Sequence, residues 1–390
     1  MKFLHTSDWH LGVKTNGKDR LDEQKRVLDE IISIANYENV DCVIIAGDVF
    51  NTASPSADAE ELFFDTIQKL STNGDSDRFI LVLAGNHDDP TRLSAGLPLA
   101  SKHNIALVSS LEPLKLDAFN KNALVQVIET GKGHIKIRKN EEIATIAYLP
   151  YPTDVRISEK VEGENYAEKV SEWAKISASA FSDDSLNIFV SHLFVIGSKT
   201  DNGIVKVGDI MAVPKNIMPK ADYTALGHIH IPQTLGDNIF YSGAITKLSV
   251  GQEGLGVNIF ESENAKIINQ KRIELKNIAK YEKVSAKSLE EAENILSNYD
   301  DSDIVELEIV QNEPLSAVGL KQLRKSFACL SNISLIKGEN FFANKTKVSK
   351  KLLSDEELFK EFYKSVRGFE PSEELVEFFV ECKGGENETN

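Results

Sequence analysis

The stretch from residue 2 to residue 12, KFLHTSDWHLG, begins as an apolar segment typical of a buried β-strand and ends in polar residues. In extended backbone, positions i and i+2 point to the same side, so Asp8 and His10 can reach one point in space. Two further stretches repeat this design, CVIIAGDVF at residues 42–50 and FILVLAGNHDDP at residues 79–90. Helical patterns lie between the three apolar segments, and such an alternation predicts parallel βαβ units.

Further strand and helix patterns continue to about residue 275. Apolar residues recur with helical periodicity over residues 20–37, 57–70 and 166–181. Strand patterns follow at residues 123–149, 187–191, 223–226, 239–241, 256–260 and 265–273. We therefore predict an α/β fold in which a mixed two-sheet sandwich, flanked by helices, forms one domain over residues 1–275.

The remaining sequence divides into four shorter parts. Alternating strand and helix patterns over residues 276–338 predict a small α+β domain. Residues 339–352 are polar and rich in lysine, which predicts a basic linker, and the polar residues 383–390 predict a disordered tail. Between them, residues 353–382 predict a helical pair whose apolar faces are rich in aromatic side chains. Such a pair cannot bury its own surface well, so we expect it to dock on another protein.

Composition limits the class of protein. The chain has 390 residues with 44 basic and 60 acidic side chains, a net charge of −16, which excludes a domain that is basic over its whole surface. One basic face for nucleic acid remains compatible with that charge. Three cysteines without CxxC spacing argue against a disulfide framework or a thiolate zinc site. No apolar stretch approaches the roughly 18 residues of a membrane span, so we expect a soluble, cytoplasmic protein.

Metal-binding side chains collect in the short turns that follow the predicted strands. Ordinary turn chemistry explains any one of these motifs, but hardly the whole series. The series consists of Asp8 and His10, Asp48, Asn86 and His87, His192, and His228 and His230. Carboxylate, imidazole and amide ligands together suit Mn²⁺, Fe²⁺ or Zn²⁺ better than Ca²⁺. Two ions about 3.5–4 Å apart, bridged by a carboxylate, would use the whole set, and such pairs serve phosphoester hydrolysis.

These residues stand in longer motifs: TSDWHLG, AGDVFNTASP, LAGNHDDP, SHLFVIG, DYTALGHIHIPQ and YSGA. Together the motifs resemble the calcineurin-like metallophosphoesterase superfamily and, within it, the SbcD-type nuclease subunits of bacterial SbcCD complexes. The resemblance covers roughly residues 1–381 and is most specific in the first domain. It implies a metallophosphoesterase sandwich, a capping domain at residues 276–338 and a helix-loop-helix at residues 353–382.

The resemblance also implies a role for each site residue. Seven side chains would bind two metal ions, Asp8, His10 and His230 on one, Asn86, His192 and His228 on the other, and Asp48 between them. His87 matches the family's catalytic histidine, which faces the scissile phosphate and stabilises charge or protonates the leaving 3′-oxygen. Asp88 would orient and charge the His87 ring.

The activity implied by the resemblance is that of a Mn²⁺-dependent DNA nuclease. Such enzymes degrade duplex ends from 3′ to 5′ and cut single strands and hairpins, and they serve DNA repair, recombination and replication. Their partner is an SMC-like ATPase, which would bind residues 353–382, and the nuclease subunit itself is expected to be a homodimer associated with the nucleoid. Two other functions remain open, namely a phosphoesterase for small phosphoesters or phosphoproteins and a scaffold without catalysis.

Several other side chains admit two interpretations each. His5 is expected to be packed inside the first strand, and His134 lies in a predicted hairpin with two basic neighbours that either face solvent or contact phosphate. Lys14, Lys18 and Arg20 follow the first metal motif and either contact DNA or belong to a solvated loop. The helix at residues 57–70 is either pure core or part of the homodimer contact. At position 231 the chain has isoleucine where relatives often have a basic residue, which puts one DNA contact in doubt.

Overall fold

The computed structural model describes residues 1–73, 76–153, 166–200, 203–204, 211–310 and 316–336, together with positions 359, 360, 363, 371, 372 and 376. The predicted linker at 339–352 and tail at 383–390 lie outside these residues, as does most of the predicted helical pair at 353–382. By Cα packing, Met1–Ile309 and Leu315–Leu335 form one compact unit, and Val310–Pro314 and Ile336–Asn390 form another.

Two large sheets are built from thirteen strands of the described residues. Numbered in chain order, they are β1 (Lys2–Thr6), β2 (Cys42–Ala46), β3 (Phe79–Leu83), β4 (Ile105–Val108), β5 (Gln126–Gly131), β6 (His134–Lys139), β7 (Glu142–Leu149), β8 (Leu186–His192), β9 (Tyr223–Gly227), β10 (Gln233–Thr234), β11 (Ile239–Tyr241), β12 (Gly256–Glu263) and β13 (Lys266–Glu274). The first sheet has the order β13-β12-β1-β2-β3-β4, and the second has the order β10-β11-β9-β8-β7-β6-β5.

Parallel pairing occupies the middle of both sheets. Strands β1 to β4 run parallel to one another, and so do β7, β8, β9 and β11. The antiparallel strands β12 and β13 extend the first sheet, and β5 and β6 extend the second. Because parallel neighbours end at the same edge of a sheet, the segments that follow β1, β2 and β3 lie side by side.

The apolar core lies between and outside the two sheets. Side chains from both inner faces pack against each other, among them Phe3, Ile44, Leu81, Ile146 and Ile188. Helices α1 (Leu21–Tyr37) and α2 (Ala57–Ser71) cover the outer face of the first sheet. Because both faces of this sheet are covered, every residue of β2 is buried. The short helices α3 (Pro90–Ala95) and α4 (Leu97–Ala100) follow β3, and α5 (Tyr166–Ser177) packs on the second sheet. The predicted two-sheet α/β sandwich is confirmed.

We call the described residues between Tyr281 and Ile336 the small domain, and most of them lie in the same compact unit as the sandwich. The division of the chain into separate domains at residue 276 stays a prediction. The elements of the small domain are β14 (Tyr281–Ala286), α6 (Leu289–Leu296), β15 (Ile304–Val310), α7 (Ala317–Ser326) and β16 (Leu330–Ile336), in the predicted order. Ser288 and Ser316 cap the two helices by accepting hydrogen bonds from backbone N–H groups three residues ahead. The domain has its own apolar core, centred on Leu296, Leu307 and Leu323.

Several short elements of the sandwich were not predicted, among them helices α3 and α4, strand β4 and one hairpin. Strand β4 has four residues, too few for a periodic pattern, and it becomes a strand by pairing with β3. A hairpin of Lys14–Thr15 and Lys18–Asp19 turns at Asn16 and Gly17, which both have positive φ. None of the described helices has the length and apolar character needed to span a membrane.

Candidate metal centre

The predicted metal ligands converge where the parallel strands of the two sheets end. Asp8 and His10 follow β1, Asp48 follows β2, and the N–H groups of Asp8 and His10 donate to the carbonyl oxygens of Gly47 and Asp48 at 2.9 and 3.0 Å. His192 is the last residue of β8 and belongs to the second sheet. The sandwich therefore brings residues far apart in sequence to one edge.

The backbone at this edge is strained rather than extended. Asp8, His10, Asp48 and His228 have φ values of 53°, 46°, 51° and 95°, in the left-handed region that non-glycine residues rarely adopt. Each such residue costs about 1–3 kcal/mol and persists only where its surroundings hold it in place. The expectation that Asp8 and His10 converge through extended backbone is wrong, although the two side chains do converge.

One group of ligand atoms comes from Asp8, His10 and His230. Their ligand atoms all lie within 4.8 Å of one another. The Nε2 atoms of His10 and His230 are 3.2 Å apart, so the two imidazoles share one small space. A carboxylate and two imidazoles at this spacing can supply three ligands to one transition-metal ion.

A second group comes from Asp48, His192 and His228, again with ligand atoms within 4.8 Å. His192 Nε2 lies 3.2 Å from His228 Nδ1, and Asn86 Oδ1 lies 3.0 Å from the same His192 nitrogen. The Oδ2 atom of Asp48 is 3.3 Å from His192 Nε2 and 3.6 Å from His10 Nε2. Asp48 therefore stands between the two groups, where a bridging carboxylate belongs.

Surrounding groups fix the direction of these ligands. His192 Nδ1 donates to the carbonyl oxygen of Ala46 at 2.9 Å, so its Nε2 faces the centre. The carboxylate of Asp8 accepts from Ser7 Oγ and, at 2.9 Å, from the N–H of His228. Such outer contacts orient metal ligands and keep their lone pairs pointing inward.

Two glycines leave the space that these ligands occupy. A Cβ on Gly85 would lie 2.1 Å from Asp48 Oδ1, and a Cβ on Gly47 would lie 2.3 Å from His192 Nδ1. Both distances are far inside van der Waals contact. The glycines of the AGD and AGN motifs are therefore required by the close approach of ligand side chains.

Burial and charge give the site the donor set of a cation-binding centre. Burial lowers the pKa of His10 to about 3, although Asp48 opposes the shift, so this imidazole is neutral. Burial would raise the pKa of Asp48, but the neighbouring His192 and His10 lower it well below its ordinary value. Burial would lower the pKa of His192. The neighbouring carboxylates of Asp48 and Asp8 outweigh burial and raise this pKa to about 9. The charged Asp48 and the neutral His10 fit a divalent metal ion, which would have to displace the proton that His192 holds in its absence.

His87 and Asp88 follow Asn86, and the ligand atoms of His87, His10 and Asp48 also lie within 4.8 Å of one another. His87 Nδ1 donates to the carbonyl oxygen of Asn51 at 2.8 Å, and its ring centroid is 4.8 Å from that of His10. The buried carboxylate of Asp88 accepts from the N–H groups of Gly85, Val49 and Phe50 at 2.8, 3.1 and 2.9 Å. Burial, followed by the nearby Asp48, raises the pKa of Asp88 to about 6. Asn51 thus orients the His87 ring, and the Asp88 carboxylate contacts the backbone of the turn after β2. The role of Asp88 in orienting and charging the His87 ring stays a prediction.

The structure corrects the expectation for two basic residues after the first metal motif. Arg20 is buried and paired with Glu23 at 2.9 Å, and Lys18 donates to backbone carbonyls of the small domain. Neither side chain lies free in a DNA-facing loop, and the prediction is wrong for both. Lys14 is exposed, with Asp19 at 3.6 Å.

The remaining histidines have ordinary structural contacts. His5 is fully buried with Nδ1 at 3.2 Å from the hydroxyl of Tyr223, so the packed interpretation is confirmed. His134 lies 3.2 Å from Glu129, which also binds Lys136 at 3.0 Å, so these side chains have partners within the hairpin. In α2, Phe63 is buried, whereas 42% of Phe64 is exposed.

Some contributors to the site were not identified from sequence. The ring of Phe194 packs on His228 with centroids 3.9 Å apart, and Gln24 donates to the carbonyl oxygens of Trp9 and His10 at 3.0 and 2.9 Å. Ser7 precedes Asp8 directly in the first motif, and this adjacency is the sequence feature that indicates its contact with the Asp8 carboxylate. Gln24 had no such signal, because its role depends on how α1 packs.

Comparison with known proteins gives concordant results. The family described as calcineurin-like phosphoesterase matches residues 1–232. A Bacillus subtilis (strain 168) protein, named as the SbcD component of the SbcCD nuclease, is 32% identical over 411 residues, covering 100% of this chain and 99% of the relative. A protein of the same name from Staphylococcus epidermidis is 26% identical and covers 94% of this chain and 93% of the relative.

Solved structures with a related shape include a dimetal phosphatase from Danio rerio. The TM-score is 0.40 at 10% sequence identity, with 70% of this chain and 99% of that chain covered. The Plasmodium inner-membrane-complex anchor GAP50 gives a TM-score of 0.39 at 13% identity, with 82% of this chain and 98% of that chain covered. At these TM-scores neither similarity carries an argument.

Proposed function

Because this chain belongs to the calcineurin-like phosphoesterases and, within them, to the SbcD-type nucleases of SbcCD complexes, we propose that it hydrolyses DNA phosphodiester bonds with two divalent metal ions. The observation that carries the proposal is the pair of ligand groups joined at Asp48. We further propose Mn²⁺ as the most effective ion. The activities we expect are 3′–5′ exonuclease on duplex ends and endonuclease on single strands and hairpins.

The ligand groups divide between the two ions as their positions suggest. Asp8, His10 and His230 would hold one ion, Asn86, His192 and His228 would hold the other, and Asp48 would bridge. When bound between these ligands, two divalent ions would supply an activated water and charge stabilisation for in-line displacement at the phosphate. The protein's own contribution is to fix the ligands through backbone contacts such as His192 to Ala46.

His87 is proposed as the catalytic side chain that binds no metal. Its Nδ1–H is held by Asn51, so Nε2 is the nitrogen left to meet the substrate. A proton on Nε2 would stabilise charge on the phosphate or pass to the leaving 3′-oxygen. Asp88 supports this residue indirectly by holding the turn after β2, at the end of which Asn51 lies.

A cleavage assay with matched substrates tests the proposal. The protein is incubated with end-labelled blunt duplex, hairpin DNA, 4-nitrophenyl phosphate and a cyclic nucleotide, with Mn²⁺, with Mg²⁺ and with chelator. We expect Mn²⁺-dependent shortening of the duplex from its 3′ ends and opening of the hairpin. A preference for the small esters would instead support the alternative phosphoesterase function.

The proposed protein partner is an SMC-like ATPase that binds residues 353–382. Support comes from the relatives, which are named as components of a complex, and from the net charge of −16, which leaves little basic surface for DNA. Deleting residues 354–382 should abolish copurification with the ATPase and leave basal nuclease activity unchanged. Copurification of the shortened chain would refute this assignment.

We also propose that the chain forms a homodimer through the outer side of α2. Phe64 on α2 is 42% exposed, and Leu99 on the neighbouring α4 is 71% exposed. Both side chains line a cavity of about 500 Å³, together with Ile67, Ala100 and Ile105. An apolar surface of this kind on α2 and α4 is typical of an interface. Replacing Leu99 by Asp should give a monomer by light scattering, and a dimer that persists would exclude this surface.

A further inference from the structure

A short hairpin leads directly from the first metal motif to the small domain. It consists of Lys14–Thr15 and Lys18–Asp19, and it begins four residues after the ligand His10. The turn residues Asn16 and Gly17 have φ values of 50° and 84°, which fixes a tight two-residue loop. The hairpin is therefore a defined element, not a solvated loop.

Lys18 on this hairpin holds three backbone carbonyls of the small domain. Its Nζ donates to the carbonyl oxygens of Asp301, Asp303 and Ala328 at 2.5, 2.7 and 3.1 Å. An ammonium group has three N–H donors and no acceptor, so this arrangement uses all of them. Asn16 adds a bond of 3.0 Å from its Nδ2 to Glu306 Oε1.

The root of the hairpin is fixed to the metal motif. Gln24, fully buried in α1, donates to the carbonyl oxygens of Trp9 and His10 and accepts from the N–H of Gly12 at 2.9 Å. The segment between His10 and the hairpin therefore has little freedom to move independently of the metal ligands. A displacement of the small domain that broke the Lys18 contacts would therefore free the turn of the hairpin at Asn16 and Gly17. The segment from Trp9 to Gly12 would stay held by Gln24.

The same helix also fastens the segment that joins the two domains. Glu23 Oε1 accepts from the N–H of Ala279 at 3.0 Å, and the Glu30 carboxylate accepts from the N–H groups of Lys276 and Asn277 at 2.9 Å. Glu23 and Gln24 are neighbours, one holding the connection and the other the metal motif. The small domain is thus attached to the hairpin, and the segment before it is attached to α1, which also contacts the first metal motif.

We propose that Lys18 is a positioning residue that sets the small domain against the metal centre and so decides which DNA structures reach it. The proposal rests on the nuclease function proposed above. It assigns to Lys18 a part in substrate choice and none in hydrolysis itself. The contacts are hydrogen bonds to carbonyls, so an uncharged side chain of similar length removes them with little loss of packing.

The test compares Lys18→Met with Lys25→Met in the full-length protein. Lys25 is exposed on α1, and its replacement removes the same charge without touching the small domain. Hydrogen exchange without DNA should rise about tenfold in residues 300–304 and 327–330 of Lys18→Met, since three charge-assisted bonds are lost. With Mn²⁺, its kcat/KM on blunt duplex should fall about tenfold, with bis(4-nitrophenyl) phosphate cleavage unchanged. Lys25→Met should match the parent protein in all three measurements.

Two outcomes overturn the proposal. Unchanged exchange together with a salt dependence of DNA binding shallower by about one unit would make Lys18 a phosphate contact. An equal fall on the duplex and on the small diester would make its role a general structural one. Asn16→Ala provides a second variant of the same contact and should show a smaller shift in the same direction. If the parent protein cut no DNA, the proposed function would fail, yet the exchange experiment would still decide whether Lys18 holds the small domain.

Discussion

The metal centre and the small domain are held in place by different means. The ligands of the metal centre come from five strand ends between residues 8 and 230, and backbone groups fix many of their polar atoms. The small domain is one continuous segment with its own core, and polar contacts from the hairpin and α1 connect it to the sandwich. Substitutions in the metal centre should therefore alter metal binding and hydrolysis. Substitutions in the contacts that hold the small domain should alter which DNA substrates are cleaved.

The difference has a physical basis. Four metal-centre residues hold strained backbone, which only dense surrounding contacts can maintain. The hydrogen bonds to the small domain are few and partly solvent-exposed, so water can replace much of their contribution when they are lost. We therefore expect the metal centre to keep its geometry when contacts to the small domain are lost.

The largest effect is expected from Asp48→Asn. Its Oδ2 faces both ligand groups at 3.3 and 3.6 Å, so removing the charge should weaken both metal sites at once. Metal content by mass spectrometry and Mn²⁺-dependent cleavage should both fall to background. Asp58→Asn, on the exposed first turn of α2, serves as the matched control and should behave as the parent protein.

The next largest effect should come from His87→Gln. Because His87 is assigned no metal, two ions should remain bound while duplex cleavage falls by about 10²–10⁴-fold. Cleavage rate and metal stoichiometry measured on the same sample separate the two effects. Normal nuclease activity in this variant would remove His87 from the mechanism.

Much of the metal centre could be predicted from the sequence because it depends on local features. Apolar strands followed by Gly-Asp, Gly-Asn-His and Gly-His-Ile-His are visible in the chain, and parallel pairing brings their ends together. The geometry of convergence was not predictable, since the left-handed φ of Asp8 and His10 depends on contacts with Gly47 and Asp48.

Contacts between domains were predicted less well. Lys18 and Arg20 looked like DNA contacts because charge after a metal motif is all that the sequence shows. Their partners, the carbonyl oxygen of Asp303 and the carboxylate of Glu23, are determined by packing of the small domain and α1. A carbonyl acceptor has no signature in sequence, so such contacts require the structure.

A smaller effect within the metal centre is expected from Ser7→Ala. The hydroxyl donates to the Asp8 carboxylate, and loss of an outer contact of this kind typically costs about 10–100-fold in metal affinity. Isothermal titration calorimetry with Mn²⁺ measures this change in metal affinity. Ser33→Ala, whose hydroxyl only bonds the Asp29 carbonyl within α1, should leave the affinity unaltered. An unchanged affinity in Ser7→Ala would mean that Asp8 does not depend on Ser7 and that its bond from the N–H of His228 is sufficient.

The smallest effect should come from Glu30→Ala at the connection between the domains. Its carboxylate accepts from the N–H groups of Lys276 and Asn277, which are free to bond water once it is gone. The free energy of unfolding should therefore fall by only about 1 kcal/mol, measured with urea. Asp29→Ala removes a neighbouring charge on the same helix and controls for helix effects. Metal affinity should not change, because the ligands are held by Gln24 and by contacts between strand ends. A fall in metal affinity in Glu30→Ala would show that the two regions are rigidly coupled and that the contrast between them does not hold.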